Sequence, residues 1–341
     1  MPIEWIDPTP AANDEADSFL SAAQAMSWRE HGYALLDGLL PGEVVAAARR
    51  DALDHYGRDA PKGPADFGSG GRFTFPSASE AANTITLHPR LLGAAAQLLG
   101  CETLDLRLTQ SDVWAKHART HGGPLDNADQ RMHVDYPNHS LTHPPHWDTP
   151  EAVSIIVYLS DIEECGGATA LVPRTGPDDP AYPWPITGTP GVGELEWIND
   201  RASAEQYLER VAPDIARWRA EHLYPREQHA RFRVGTLLFY RQDTWHRGTP
   251  ITPGAARVVQ NITFRHSRST WISTVHEGWA WAMYRPSRVA ERLVATASVE
   301  QRCVLGFPAP GDEYWTAGTV DAVEARYRAY GIDMTPYRSA L

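Results

Sequence analysis

The 341 residues carry 31 Lys+Arg against 43 Asp+Glu, a net charge of -12, and no basic run that could displace phosphate counterions, which argues against a nucleic-acid partner. The 42% hydrophobic content is that of an ordinary globular protein; no export signal opens the chain and no stretch nears the roughly 20 apolar residues that span a bilayer, so a cytoplasmic protein without a membrane partner is expected. Cys101, Cys165 and Cys303 are far apart and form no CxxC pair, which supports neither a disulfide framework nor a thiolate zinc site.

Residues 1–14, rich in Pro, Asp and Ala, read as a surface arm. Helical spacing over 15–31 stops at His31-Gly32, and 33–36 reads as a first strand. Pro41 opens a second helix with an apolar face of Val44, Val45 and Ala48. Residues 57–83 read as a Gly/Pro-rich loop, and 91–99 as a short helix closed by Gly100. From residue 104 the character changes. The runs 104–116, 131–136, 153–160, 169–172, 234–241 and 258–264 are strand-like and separated by Pro, Gly, Asp and Asn. Helices first and then many strands, without βαβ alternation, predict a single mainly β domain, a sandwich or barrel decorated by helices. An insertion at 176–231 includes a helical segment at 204–222. The extension 267–341 mixes an aromatic-rich loop (Trp271, Trp279, Trp281) with two helical runs.

Arg131-Met132-His133-Val134-Asp135-Tyr136 carries the chemistry. On a strand, residues two apart point the same way, so His133 and Asp135 would present an imidazole and a carboxylate side by side. A third ligand must come from elsewhere, and His246 follows a late strand that could deliver it. Two histidines and one carboxylate leave coordination positions open, the arrangement associated with non-haem Fe(II) oxygenases. Arg257 lies eleven residues past His246, at the start of the next strand. If the two flanking strands were adjacent and antiparallel, its guanidinium would sit over the metal pocket. That planar fork suits the distal carboxylate of 2-oxoglutarate.

These residues resemble the phytanoyl-CoA dioxygenase (PhyH) family: His133-Val134-Asp135, then His246, then Arg257 at the family's spacing. Gln110 to Lys116 is similar to the family's strand ending in a basic residue, and His31-Gly32-Tyr33 followed by Leu39-Leu40-Pro41 to its N-terminal region. The resemblance covers about residues 19 to 266. It implies a double-stranded β-helix (jelly-roll, cupin-like) core with flanking helices. It also implies an Fe(II)- and 2-oxoglutarate-dependent dioxygenase using O₂, with iron on His133, Asp135 and His246 and the co-substrate held by Arg257 and Lys116. The sequence departs from the family at Gly248, where a serine that helps hold the co-substrate is common, so Thr249 is a candidate replacement. Pro173-Arg174-Thr175-Gly176 replaces the common Pro-Gly-Ser-His.

Other readings compete. His139, His143 and His146 could bind zinc in a hydrolase, although Pro144 and Pro145 make an exposed loop the better expectation. Phe67-Gly68-Ser69-Gly70-Gly71 lacks the first glycine of a nucleophile elbow. A jelly roll could also serve as a non-catalytic binding module, which the intact metal set argues against. Substrate contacts are sought in Gln110, Asp112, Arg131, His146 and Trp147, with a salt bridge as the competing role for Arg131. Selectivity is expected in the insertion, the loop 137–149 and the strand 110–116. A small metabolite with an aliphatic C–H is the expected substrate, with hydroxylation releasing succinate and CO₂. An acyl-CoA thioester is the alternative.

Overall fold

Alternation along the long strands decides which face of each sheet meets which layer. The computed structural model describes residues 3–12, 19–56, 73–118, 123–124, 126, 128–144, 150–269 and 288–341. Its strands are β1 (Glu4–Ile6), β2 (Thr9–Pro10), β3 (Tyr33–Asp37), β4 (Leu106–His117), β5 (Ala152–Tyr158), β6 (Thr169–Leu171), β7 (Gln228–Ala230), β8 (Leu237–Tyr240), β9 (His246–Gly248) and β10 (Ala256–His266). They form a six-stranded sheet in the order β2-β3-β8-β5-β10-β4 and a four-stranded sheet in the order β1-β7-β6-β9.

One face of the larger sheet presents Val113, Val153, Ile155, Val157, Leu237, Phe239, Val258 and Ile262 to a helical layer. That layer is α1 (Ala22–His31), α2 (Gly42–Tyr56), α3 (Glu80–Thr86) and α4 (Pro89–Leu99). The alternate residues Ile156, Tyr158, Leu238, Tyr240 and Val259, with Trp114, turn the other way and pack with Leu171 and Ala230 of the smaller sheet. Tyr158 also donates from one sheet to Thr169 Oγ1 on the other at 2.8 Å. This is the two-sheet jelly-roll core, without closure into a barrel, and its inner layer holds the polar residues discussed below.

Local signals explain the element ends. Ser21 and Gln24 form a reciprocal capping box at the start of α1, and Gly32 closes it with φ 92°. A side chain at Gly32 would also strike Thr244, its Cβ lying 2.5 Å from Oγ1. Ser79 caps α3, so the loop expected to run to residue 83 ends earlier. The expected single helix 204–222 is two, Arg201–Val211 and Pro213–His222, because Pro213 cannot continue the ladder. The C-terminal extension holds three helices of at least seven residues among those described, Val289–Thr296, Val299–Leu305 and Ala317–Tyr327, where two were expected. Trp271, Trp279 and Trp281 lie outside the described residues, as does the Phe67–Gly71 motif.

The run 131–136 is the largest departure from the sequence expectation. It forms no extended strand: only isolated bridges at Gln130 and His133 remain before the chain turns into the short helix Tyr136–His139. The strand β9 was not anticipated either. It pairs with β6 while β10 pairs with β4 and β5, so the strands bearing His246 and Arg257 belong to opposite sheets. Arg257 therefore approaches the site from across the inner layer and not from a neighbouring strand.

The chain between β8 and β9 is tied down by charge. Arg241 Nε and Nη2 donate to Asp243 at 3.0 and 2.9 Å, and Arg174 Nη2 reaches the same carboxylate at 2.9 Å. Burial would raise the Asp243 carboxyl, but Arg174 and Arg241 hold it below its ordinary range. Arg241 N–H and Thr244 Oγ1 both donate to the Gly32 carbonyl, at 2.9 and 2.8 Å. The departure at Arg174 thus has a structural role. Asp243→Ala removes a carboxylate shared by two buried guanidinium groups and is expected to cost about 3–5 kcal/mol. Urea unfolding of the two proteins checks this; a loss under about 1 kcal/mol would show that the carboxylate is dispensable.

Candidate metal centre

Two segments supply the ligands, and backbone pairing brings them together. His133 N–H donates to the His246 carbonyl and His246 N–H to the His133 carbonyl, both at 2.9 Å. Gln130 N–H donates to the Gly248 carbonyl at 3.0 Å. Between these contacts one segment spends three steps and the other two, so the 130–133 side carries an extra residue, as in a β-bulge. Asp135 is then placed by its own N–H, which donates to the Gln242 carbonyl at 2.8 Å. The carboxylate reaches the imidazoles through this turn, and not through the strand alternation expected from sequence.

Each imidazole is fixed by the same device. His133 Nδ1 lies 3.1 Å from the Arg131 carbonyl and His246 Nδ1 2.9 Å from the Thr244 carbonyl. A carbonyl only accepts, so each Nδ1 carries the proton and each Nε2 keeps its lone pair for a metal. Asp135 Oδ1 is 3.7 Å from His133 Nε2 and Oδ2 is 3.5 Å from His246 Nε2. All three ligand atoms fall within 4.8 Å of one another, and this is the one such cluster among the described residues.

The neighbours keep the donor set in its ligating form. Burial, then His246 and Arg131, push the His133 imidazole well below its ordinary pKa, favouring the neutral ring. Burial alone would raise Asp135, yet His246, His133, His139 and a Tyr240 hydrogen bond hold it below the usual carboxylate range. Tyr240 donates to Oδ2 at 2.6 Å and Asn138 Nδ2 to Oδ1 at 2.9 Å. Imidazole Nε2 atoms beside an ionised carboxylate are donor chemistry that Fe(II) takes.

Across the inner layer, Lys116 of β4 and Arg257 of β10 are register partners. Lys116 is 1% and Arg257 4% exposed. Lys116 Nζ donates to the Thr249 carbonyl at 3.2 Å, and Arg257 Nη1 donates to the Gly167 carbonyl. Neither forms an ion pair with a carboxylate among the described residues. Burial, then the Arg257 charge, lowers the Lys116 ammonium well below its usual pKa. Burial likewise lowers Arg257.

The chain matches the family model of phytanoyl-CoA dioxygenase (PhyH) over residues 28–259. The chain belongs to this family. It is a 2-oxoglutarate-dependent oxygenase, and its His133, Asp135 and His246 set fits Fe(II). Among solved structures, EvdO2 from Micromonospora carbonacea var. aurantiaca is 12% identical over 76% of this chain and 100% of its own, with a TM-score of 0.50. SnoK, a non-heme alpha ketoglutarate dependent carbocyclase from nogalamycin biosynthesis, is 19% identical over 76% and 89% of the two chains, with a TM-score of 0.49. EctD from S. alaskensis is 15% identical over 77% and 83%, with a TM-score of 0.45. At 12% identity the likeness to EvdO2 is one of fold. No curated protein sequence matches the chain.

The remaining candidates from sequence divide sharply. The Thr249 hydroxyl donates to the Ala168 carbonyl at 2.9 Å, and its carbonyl accepts from Lys116 Nζ. Arg131 turns away from the ligands into the insertion, donating to the Pro190 carbonyl at 2.9 and 3.2 Å and to Asn199 Oδ1 at 3.0 Å. Gln110 and Asp112 share the inner face of β4 with Lys116, and Gln110 Nε2 donates to Asp112 Oδ2 at 3.2 Å. His146 and Trp147 lie outside the described residues. His143 is buried instead of exposed, its ring nitrogens facing the Pro144 and Ile186 carbonyls at 2.8 and 3.3 Å, which leaves the zinc reading without this ligand. Sequence reasoning missed Tyr240, Asn138 and Gln130. Asn138, three residues after Asp135, is the one that its spacing on a turn could have revealed.

His133→Ala and His246→Ala each remove one of three protein ligands and are expected to abolish stoichiometric Fe(II) binding in anaerobic titration. Tyr240→Phe keeps the ligands but frees Oδ2, and should weaken Fe(II) roughly ten- to a hundredfold. Unchanged affinity in Tyr240→Phe would show that the phenol serves packing alone.

Proposed function

We propose that this oxygenase hydroxylates an aliphatic C–H of a small metabolite, with release of succinate and CO₂ from 2-oxoglutarate. The observation that carries the co-substrate half is the pair of buried basic groups, Lys116 and Arg257, beside the metal set and without a carboxylate partner among the described residues. Buried charge without a counter-ion is costly, so such a pair is an anion site waiting to be filled. The iron, when bound, supplies the activation of O₂. The chain's own contribution is to hold the three ligands, fix the co-substrate's far end and shape a pocket that orients the C–H bond.

The inner face of the large sheet supports a substrate with hydrogen-bond donors. Asp112 is raised by burial despite hydrogen bonds from Thr74 and Gln110. Asn261, its register partner on β10, has a buried Oδ1 with no hydrogen-bond partner. Both are acceptors, which suits hydroxyl or amine groups on the metabolite. An acyl-CoA thioester would need free basic groups for its phosphates. In the insertion Arg219 is held by Glu205 at 2.8 Å and Arg226 by Asp179 at 2.6 Å, so these two are already committed. Stimulation of 2-oxoglutarate decarboxylation by metabolites, amino acids and acyl-CoAs tests the choice. Hydroxylated or aminated small molecules are expected to stimulate; stimulation by acyl-CoAs alone would overturn the reading.

The depressed Lys116 pKa gives a second expectation, with its sign. A lowered pKa leaves the amine neutral at pH values above it, whereas a dianion prefers the ammonium. Co-substrate binding should therefore take up a proton, and affinity should fall as pH rises through the depressed pKa. Calorimetry of 2-oxoglutarate binding in buffers of different ionisation enthalpy reads the proton directly. Arg257→Ala should weaken 2-oxoglutarate by roughly ten- to a hundredfold while leaving Fe(II) affinity in place. Equal loss of both ligands would instead make Arg257 a support of the fold.

A further inference from the structure

A glycine inside a buried strand often marks room that another group needs. Gly248 in β9 is such a residue. A Cβ built there would lie 2.5 Å from Gln130 Oε1, 2.7 Å from Lys116 Nζ and 3.3 Å from Arg257 Nη2. Three polar side chains from three different segments therefore converge over one missing side chain. Two of them are the basic groups that form no ion pair with a carboxylate among the described residues.

The third is a neutral amide with one end committed. Gln130 is 6% exposed, and its Oε1 accepts from Gly248 N–H at 3.0 Å. That contact fixes which end of the amide faces the strand. Among the described residues its Nε2 donates to nothing, so the NH₂ group is left over in the same cluster. Chemistry favours a neutral group here. Arg257 already depresses the neighbouring ammonium, and a third cation would deepen that repulsion. A carboxylate has room for about four hydrogen bonds, which a point-charge lysine and a guanidinium partly used on Gly167 do not exhaust.

We propose that Gln130 is a co-substrate-binding residue, its Nε2 donating to the distal carboxylate of 2-oxoglutarate beside Lys116 and Arg257, and that Gly248 is glycine because these three groups share its space. The proposal rests on the 2-oxoglutarate reading above and adds a residue to it. Positions 130 and 248 then form a coupled pair: a side chain at 248 is tolerated only when the amide is gone.

Anaerobic calorimetry of 2-oxoglutarate binding to the Fe(II)-loaded protein separates this from a structural role. Gln130→Ala removes one neutral donor and should weaken binding by about three- to tenfold. Gln130→Glu is the deciding variant. It keeps an oxygen for Gly248 N–H but sets a carboxylate against a carboxylate, so it should bind far worse than Gln130→Ala, with thermal stability no lower than that of the unmodified protein. Gly248→Ala should also bind poorly, and the double variant Gln130→Ala/Gly248→Ala should recover part of that loss. Wild-type affinity in Gln130→Glu, or additive losses in the double variant, would overturn the proposal. Absence of 2-oxoglutarate binding in the unmodified protein would instead overturn the reading on which it rests.

Discussion

The reciprocal backbone pair between His133 and His246 is the contact on which the site depends. It sets two imidazoles beside each other with ring centroids 4.4 Å apart, and the extra residue on the 130–133 side leaves the chain free to turn Asp135 toward them. Neither segment is long enough to hold itself, since β9 has three residues and its partner contributes only bridges. The holding comes from outside. Arg219 Nη2 donates to the Met132 carbonyl at 2.9 Å and Arg131 reaches back into the insertion. On the other flank Arg247, between His246 and Gly248, is gripped by Glu227 at 2.7 and 2.8 Å and by Asp129 at 2.5 Å. The Asp243 cluster and the Gly32 carbonyl fix the approach to His246. Metal geometry here is a product of clamps on a weak pair of strands.

The clamping arginines share an electrostatic device. Arg174, Arg219, Arg241 and Arg247 are buried and each shares a carboxylate, the arrangement in which a buried charge is tolerable. Lys116 and Arg257 are equally buried and, among the described residues, donate only to carbonyls. Arg302 and Arg326 are also buried on backbone carbonyls, so what sets Lys116 and Arg257 apart is that two such groups lie side by side as register partners. Such local violations belong where a ligand completes the structure.

How much of this was legible in sequence follows from the range of each interaction. The long strands β4, β5 and β10 and the helices α2 and α4 announce themselves by periodicity and by Pro41 and Gly100, because those signals are local. The His133, Asp135 and His246 set was legible as residue types at a spacing, and Arg257 as a basic residue opening the next strand. Their mutual placement was not, since the route from His246 to Arg257 crosses between sheets. Thr249 looked like the replacement for a missing hydroxyl because it is the next residue, but alternation along β9 keeps His246 and Gly248 on the inner side and turns Thr249 to Ala168. Gln130 was invisible for the opposite reason: it lies 118 residues from the strand it serves. Nothing in the sequence singles out Tyr240 within the run 234–241, although its hydroxyl donates to Asp135.

The insertion changes meaning in the same way. Read along the chain, residues 176–231 are a decoration in which selectivity could vary freely. In the fold they carry Arg219, Pro190 and Asn199, all bonded to residues 131–132 immediately before His133. An element that holds a ligand segment cannot be reshaped without disturbing the metal, so its freedom to tune substrate choice is limited. The inner face of β4 and β10 has no such duty. Gln110, Asp112 and Asn261 sit on strands whose backbone pairing does not depend on those side chains, and their polar atoms are not spent on holding the iron ligands. Within the proposed reaction, that face is where a change of side chain can alter what is bound while the iron ligands stay in place.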